Sequence, residues 1–216
     1  MQSDQQITFR TTDGQLVRVR RMLPADVNLL VDIFRHLSAD STYLRFREPA
    51  TQLPPLRILE EARALAQAGY SQGKGFLAFV DLPERRGVPI AGARYIRTGE
   101  DIAEVAITVR DDFQNKGVGT QLLRIIIDEA RRDGIRYLVA HVSAQNRAAL
   151  KLLQRYPFPQ QRTYDGSEIT IIVDISANEV NSLDESWQTT REPGPKPQNP
   201  PEHNAKSAML APQGRA

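Results

Sequence analysis

The chain has 216 residues, 40% of them hydrophobic, and its 28 Lys and Arg against 26 Asp and Glu leave a net charge of +2. That size and apolar fraction support one ordinary domain with residues to spare, and the near balance of charge gives no reason to expect nucleic acid as a partner. Cysteine is absent, which excludes disulfides, thiolate zinc sites and an acyl-cysteine intermediate.

The opening MQSDQQITFR lacks the basic and apolar regions of a secretory signal, and no apolar run approaches membrane-spanning length. A soluble cytoplasmic protein is the expectation. Ile7 to Phe9 and Leu16 to Arg20 flank Thr12-Asp13-Gly14, a hairpin signal. Pro24 opens a helix in which Val27, Leu30, Val31, Phe34 and Leu37 keep helical spacing as far as Ser38. Ala39 to Pro55 mixes charges with Tyr43, Leu44 and Phe46 and contains a short second helix. Pro54-Pro55 introduce a third over Leu56 to Ala68, with Gly69 as its stop.

Phe76 to Val80 and Ile90 to Ile96 read as an antiparallel pair of strands leading into Ile102 to Val109. That run is apolar and β-branched, and Glu104 is its only charged member. From Gln121 the period changes: Leu122, Leu123, Ile126, Ile127 and Ala130 form one stripe of a helix that stops at Gly134. Tyr137 to Val142 is a buried strand, Asn146 to Tyr156 a helix, Asp165-Gly166 a turn, and Glu168 to Ile175 the last strand. The order describes a mixed α/β domain, antiparallel at first and with a βαβ unit in the middle. Beyond Ser176 prolines cluster at Pro193, Pro195, Pro197, Pro200, Pro201 and Pro212 among polar residues. The chain therefore divides into a domain over 1–176 and a Pro-rich tail over 177–216, too polar to offset the entropy of ordering it.

Between the central strand and helix lies Gln114-Asn115-Lys116-Gly117-Val118-Gly119-Thr120. Glycines one residue apart let a backbone turn sharply and bring its N–H groups close to a ligand, and a helix N-terminus favours an anion, with Lys116 and Arg110 adding charge. The same glycines read equally well as a plain strand-to-helix connection. A Walker A loop is excluded, because Gly119 is followed by Thr120-Gln121 rather than Lys-Ser/Thr. The dinucleotide fingerprint fails at Leu122, where its third glycine belongs.

Gln114-x-x-Gly117-x-Gly119 after a strand resembles the acyl-CoA pyrophosphate loop of the GNAT N-acetyltransferase superfamily. Asn146-Arg147-Ala148-Ala149-Leu150-Lys151-Leu152-Leu153-Gln154-Arg155-Tyr156-Pro157-Phe158 resembles that family's Asn-x-x-Ala-x-x-Leu-Tyr-x-x-x-Gly-Phe segment. Ala103 to Val109, Asp13-Gly14-x-x-Val17-Arg18-Val19-Arg20 and Leu37-Ser38-x-x-Ser41-x-Tyr43-Leu44-Arg45-Phe46 are similar to the catalytic domain of bacterial Pat-type protein lysine acetyltransferases.

The resemblance, extending over roughly residues 7 to 175, implies a GNAT-like α/β fold with a centrally splayed sheet flanked by helices. It implies acetyl-CoA as acyl donor, its pantetheine arm on the backbone of Ile107, Thr108 and Val109, its pyrophosphate on Gln114, Asn115, Lys116, Gly117, Val118, Gly119 and Thr120, and Asn146 near its thiol. Glu104 would be the general base, and His141, on the neighbouring strand, a rival proton acceptor, although a lone strand-end histidine is more often a satisfied interior group. Tyr43, Arg45 and Phe46 would face the acceptor, the alternative being two apolar anchors and a solvated charge. Leu153 stands where many members have an acid tyrosine, and Pro157 where they have glycine. The implied acceptor is a protein lysine, for instance on an acyl-CoA synthetase. The alternatives are a small amine or a non-catalytic acyl-CoA sensor. Neither nucleic acid nor membrane is an expected partner, and no metal is, since His36, His141 and His203 lie far apart in sequence.

Overall fold

The computed structural model describes residues 7–177. An eight-stranded sheet is built from β1 (Ile7–Arg10), β2 (Leu16–Arg21), β3 (Gly73–Val80), β4 (Val88–Arg97), β5 (Ile102–Val109), β6 (Tyr137–Ser143), β7 (Gln160–Asp165) and β8 (Glu168–Asp174). Their spatial order is β1-β2-β3-β4-β5-β6-β8-β7, antiparallel everywhere except between β5 and β6. The helices are α1 (Val27–Arg35), α2 (Ala39–Phe46), α3 (Pro55–Ser71), α4 (Val118–Arg132) and α5 (Arg147–Gln154). Among the described residues no helix is long and apolar enough to cross a membrane.

Strand alternation sends side chains to two separate cores. Phe76, Ala78 and Val80 of β3 join Leu122, Ile126 and Ala130 of α4 on one face. Leu77, between them, joins Leu30, Ile33 and Phe34 of α1, Phe46 of α2 and Leu65 of α3 on the other. Both faces of the central sheet are thus covered, as its nearly continuous apolar strands require.

Two sequence expectations need correction. Gly69 does not stop α3, which continues to Ser71. Gly69 is buried within it, where an added Cβ would stand 3.5 Å from the Cα of Gly75. That is an ordinary contact, so the helix simply runs on past the glycine where it packs on β3. The strand β7 was not expected at all: its QQRTYD sequence lies almost wholly exposed at the sheet edge, so it has no apolar alternation, and its register to β8 (Gln160↔Val173 through Asp165↔Glu168) makes it a strand. The Pro-rich segment from residue 178 onward lies outside the described residues.

Candidate active site

The site is created by the place where two neighbouring strands part. The parallel ladder of β5 with β6 has three pairs, Ile102↔Tyr137, Ala103↔Leu138 and Glu104↔Val139, and ends there. Beyond it Ile107, Thr108 and Val109 pair only with Ala93, Gly92 and Ala91 of β4, while Ala140 to Ser143 pair only with β8. The backbone edge of β5 after Glu104 therefore borders an opening, and the resemblance to an enzyme with a splayed sheet is matched in the register.

Glu104 occupies the last pair of that ladder. Its side chain shares the α1–α3 face of the sheet with Ala106 and Thr108, is half-buried, and makes no hydrogen bond or ion pair among the described residues. His141 projects from β6 on the same face but is exposed, its Nδ1 3.2 Å from Thr170 Oγ1 and 3.7 Å from Glu168 Oε1. Glu168 itself accepts from Arg47 Nη2 at 2.9 Å.

The glycine-rich turn has the backbone its sequence calls for. Asn115 (φ 58°) and Gly117 (φ 82°) are left-handed, and Gly117 is the N-cap of α4. The first intrahelical bond runs from Gln121 N to Gly117 O at 3.1 Å, so the N–H groups of Val118, Gly119 and Thr120 form the open, positive end of α4. Gly119 leaves room between Leu152 and Val109. The expected contribution of Arg110 is absent: its guanidinium is buried and bidentate with Asp112 (3.0 and 2.8 Å). Lys116 is ion-paired to Asp13 at 2.9 Å, and Thr12 N donates to Lys116 O at 3.1 Å, so the turn of the amino-terminal hairpin clasps this loop. Gln114 turns inward, donating from Nε2 to Val109 O (3.2 Å) and Asp111 Oδ1 (3.1 Å). Asn146 caps α5, accepting from Ala149 N at 3.0 Å, and Tyr156 donates its hydroxyl to Thr120 O at 2.8 Å, which ties α5 to the first turn of α4.

On the acceptor side the three residues from α2 have three different fates. Phe46 is a core residue, edge-on to Phe34 with ring centroids 5.3 Å apart, and Tyr43 is exposed. Arg45 is not the solvated charge of the alternative reading. It is ion-paired with Glu61 of α3, and its Nε is buried without a partner. Arg45 lines a cavity together with Arg94, Gly92, Ala106 and Thr108. Arg94, in β4 opposite Ala106, likewise has a buried, unpartnered Nε. Burial lowers the pKa of both guanidinium groups; for Arg94 the nearby charge of Arg45 lowers it further, and the Glu104 carboxylate acts in the opposite sense. Sequence reasoning missed Arg94, although the signal that singled out Glu104, one charge inside an apolar strand, is present in VPIAGARYIR too.

Helix α2 spans the site. At one end Ser41 Oγ donates to Asp111 Oδ2 at 3.1 Å, beside the glycine-rich turn; at the other Arg47, in the left-handed C-cap position, reaches Glu168 of β8.

The structure thus brings together a forked sheet, an open helix N-terminus beside one arm of the fork and, at its base, a carboxylate with no hydrogen bond or ion pair among the described residues. Residues 32–158 match the model of the acetyltransferase (GNAT) family. The chain belongs to that family. It is 30% identical over 151 residues to acetyltransferase Pat of Mycolicibacterium smegmatis, covering 69% of this chain and 43% of that one. It is 32% identical over 157 residues to an acetyltransferase of Pseudomonas aeruginosa, covering 72% and 81%. The crystal structure of the GNAT domain of S. lividans PAT superposes with a TM-score of 0.67 at 28% identity, covering 78% of this chain and 96% of that one. The chain thus spans less than half of the Mycolicibacterium protein.

This GNAT protein is an acyl-CoA-dependent N-acetyltransferase, and GNAT enzymes use acetyl-CoA. The residues present fit that donor: the unshared edge of β5 offers backbone groups to an extended amide chain, and the start of α4, capped by Gly117 with its positive φ, has the open N–H groups that suit a phosphate. Among the described residues no group of three His, Cys, Asp or Glu side chains is placed to hold a metal ion.

Proposed function

We propose that this enzyme transfers an acetyl group from acetyl-CoA to a lysine amine of a protein substrate, such as an acyl-CoA synthetase, in the cytoplasm and by direct attack within a ternary complex. The observation that carries the reading is Glu104, unpaired and half-buried where β5 and β6 part. Similarity to a protein named Pat, and to the domain of another, supports the lysine acceptor.

The lysine enters as an ammonium. Glu104 takes its proton, and the neutral nitrogen attacks the thioester carbonyl, forming N–C; as C–S breaks, the nitrogen gives up its second proton to the water that protonates the departing thiolate. A backbone N–H near Val109 polarises that carbonyl, and the first turn of α4, with Asn115 and Lys116, holds the pyrophosphate. Asn146 Oδ1 is engaged in capping, which leaves Nδ2 to bond the donor near its sulfur. The CoA thiolate takes its proton from water, because Leu153 replaces a tyrosine and the Tyr156 hydroxyl is engaged by Thr120. His141, exposed beside Glu168 on the same face of the sheet as Glu104, would relay the proton taken by Glu104 to solvent.

Glu104→Gln keeps the shape and removes the base. Turnover should fall about 10²- to 10⁴-fold with acetyl-CoA affinity retained, and unchanged turnover would eliminate the assignment. The Arg45 and Arg94 cavity favours a second reading, a small amine bearing an anionic group.

A further inference from the structure

We propose that Arg94, supported by Arg45, forms a subsite that reads a carboxylate carried by the acceptor, so that the enzyme selects amines with an acid close by. The proposal rests on the acetyltransferase reading with Glu104 as base, and it names which acceptors that base serves.

The positions follow from register. Arg94 faces Ala106 and Glu104 faces Ile96, so Arg94 and Glu104 are diagonal neighbours on one face of two antiparallel strands, which sets the two residues about 7–8 Å apart and their Cβ atoms somewhat closer. Neither pairs with the other. A base and a cation are therefore held a fixed short distance apart on one face of the sheet, Arg94 lining the cavity and Glu104 standing beside it. An acceptor that places its amine at Glu104 can place a second group at Arg94 only if that group lies within a few bonds or one residue of the amine.

The need for such a group is visible in Arg94 itself. A buried guanidinium Nε is costly unless an acceptor satisfies it. Glu61 pairs with Arg45, yet Arg45 Nε is still without a partner, and nothing among the described residues bonds to Arg94. The cavity between them is walled by small residues of the strands, Gly92, Ala106 and Thr108, and by Leu30 and Leu65 of the helices. It offers about 20 Å³, more than the ~10–15 Å³ that one water needs. The planar fork of an arginine matches carboxylate and phosphate alike, and so small a space favours the carboxylate, the less bulky of the two.

The test uses the full chain with acetyl-CoA and two pairs of acceptors: a lysine peptide with Asp beside the lysine against the same peptide with Asn, and a free amino acid against its amide. The ratio of kcat/KM within each pair is compared among wild type, Arg94→Gln and Arg94→Lys, because a ratio cancels losses common to both acceptors. Wild type should favour the acid by about tenfold or more in at least one pair, Arg94→Gln should bring that ratio to about one, and Arg94→Lys should fall between. Which pair shows the effect identifies the source of the carboxylate. A ratio near one in wild type, or one that Arg94→Gln leaves unchanged, overturns the subsite. So does an Arg94-dependent preference for succinyl-CoA over butyryl-CoA, which would place the carboxylate on the acyl donor. Absence of transfer to every acceptor, with acetyl-CoA still bound, would instead refute the acetyltransferase reading on which the proposal rests.

Discussion

Gly117 and Gly119 stand one residue apart but should respond oppositely to alanine. Gly117 is left-handed at φ 82°, and a Cβ there would meet only Thr12 Cγ2 at 3.7 Å, so space is not the difficulty. The cost is conformational, about 1–2 kcal/mol for a non-glycine residue in that region. In a domain of this size that lowers Tm by roughly 2–8 °C. Gly119 lies in the first turn of α4, and its Cβ would meet Leu152 Cδ2 at 3.6 Å and Val109 Cγ2 at 3.9 Å, both ordinary contacts. Alanine there removes backbone freedom from the unfolded chain and should be neutral or stabilising by up to about 1 kcal/mol. If the missing side chain at 119 serves the close approach of a pyrophosphate, Gly119→Ala should nonetheless weaken acetyl-CoA about tenfold or more. Urea unfolding of both variants, with isothermal titration of acetyl-CoA, separates the two effects. A Gly119→Ala protein that binds normally would refute the assignment of this turn to the pyrophosphate, and one destabilised as much as Gly117→Ala would refute the conformational argument.

Three further outcomes can be measured. Asp13→Asn frees Lys116 from its ion pair and should tighten acetyl-CoA binding severalfold at low ionic strength, with the gain shrinking as salt is raised. Tyr95 is buried and donates its hydroxyl to Asp133, so Tyr95→Phe leaves a carboxylate short of a donor and should cost about 1–2 kcal/mol in urea unfolding. Burial opposes ionisation of Asp133, but hydrogen bonds from Lys74 and Tyr95 outweigh it and hold this carboxyl below its ordinary value of 3.8. Its stabilisation is complete above the unfolded pKa and is lost as pH falls through the folded one, so Asp133→Asn should flatten the loss of stability below about pH 4.

The elements with strong periodicity were legible in the sequence. The apolar stripe of α4 and the β-branched run of β5 state their own structures, and Asp13-Gly14 and Asp165-Gly166 mark the turns that form. Glu104 stood out because an apolar strand has no local use for a charge. What escaped was set by neighbours distant in the chain. The strand β7 owes its form to β8, not to its polar residues, and the helix-stop reading of Gly69 was overridden by β3 packing beneath it. Arg110 carries the right charge beside the glycine-rich turn, but Asp112, two residues on, takes it. Arg94 became interesting only when the register brought it beside Glu104 and the cavity left it without an acceptor.

The three-pair seam between β5 and β6 has a mechanical meaning. Among the described residues it is the sole strand pairing that joins the five strands on one side to the three on the other, and α2, pinned at Asp111 and Glu168, is a brace across the same line. A molecule pulled apart across the sheet should yield first at Ile102 to Glu104, before either antiparallel leaf unravels. The amide protons of that seam should therefore exchange with solvent as a group, and a donor lying along β5 and β6 would act as a rivet that slows them together.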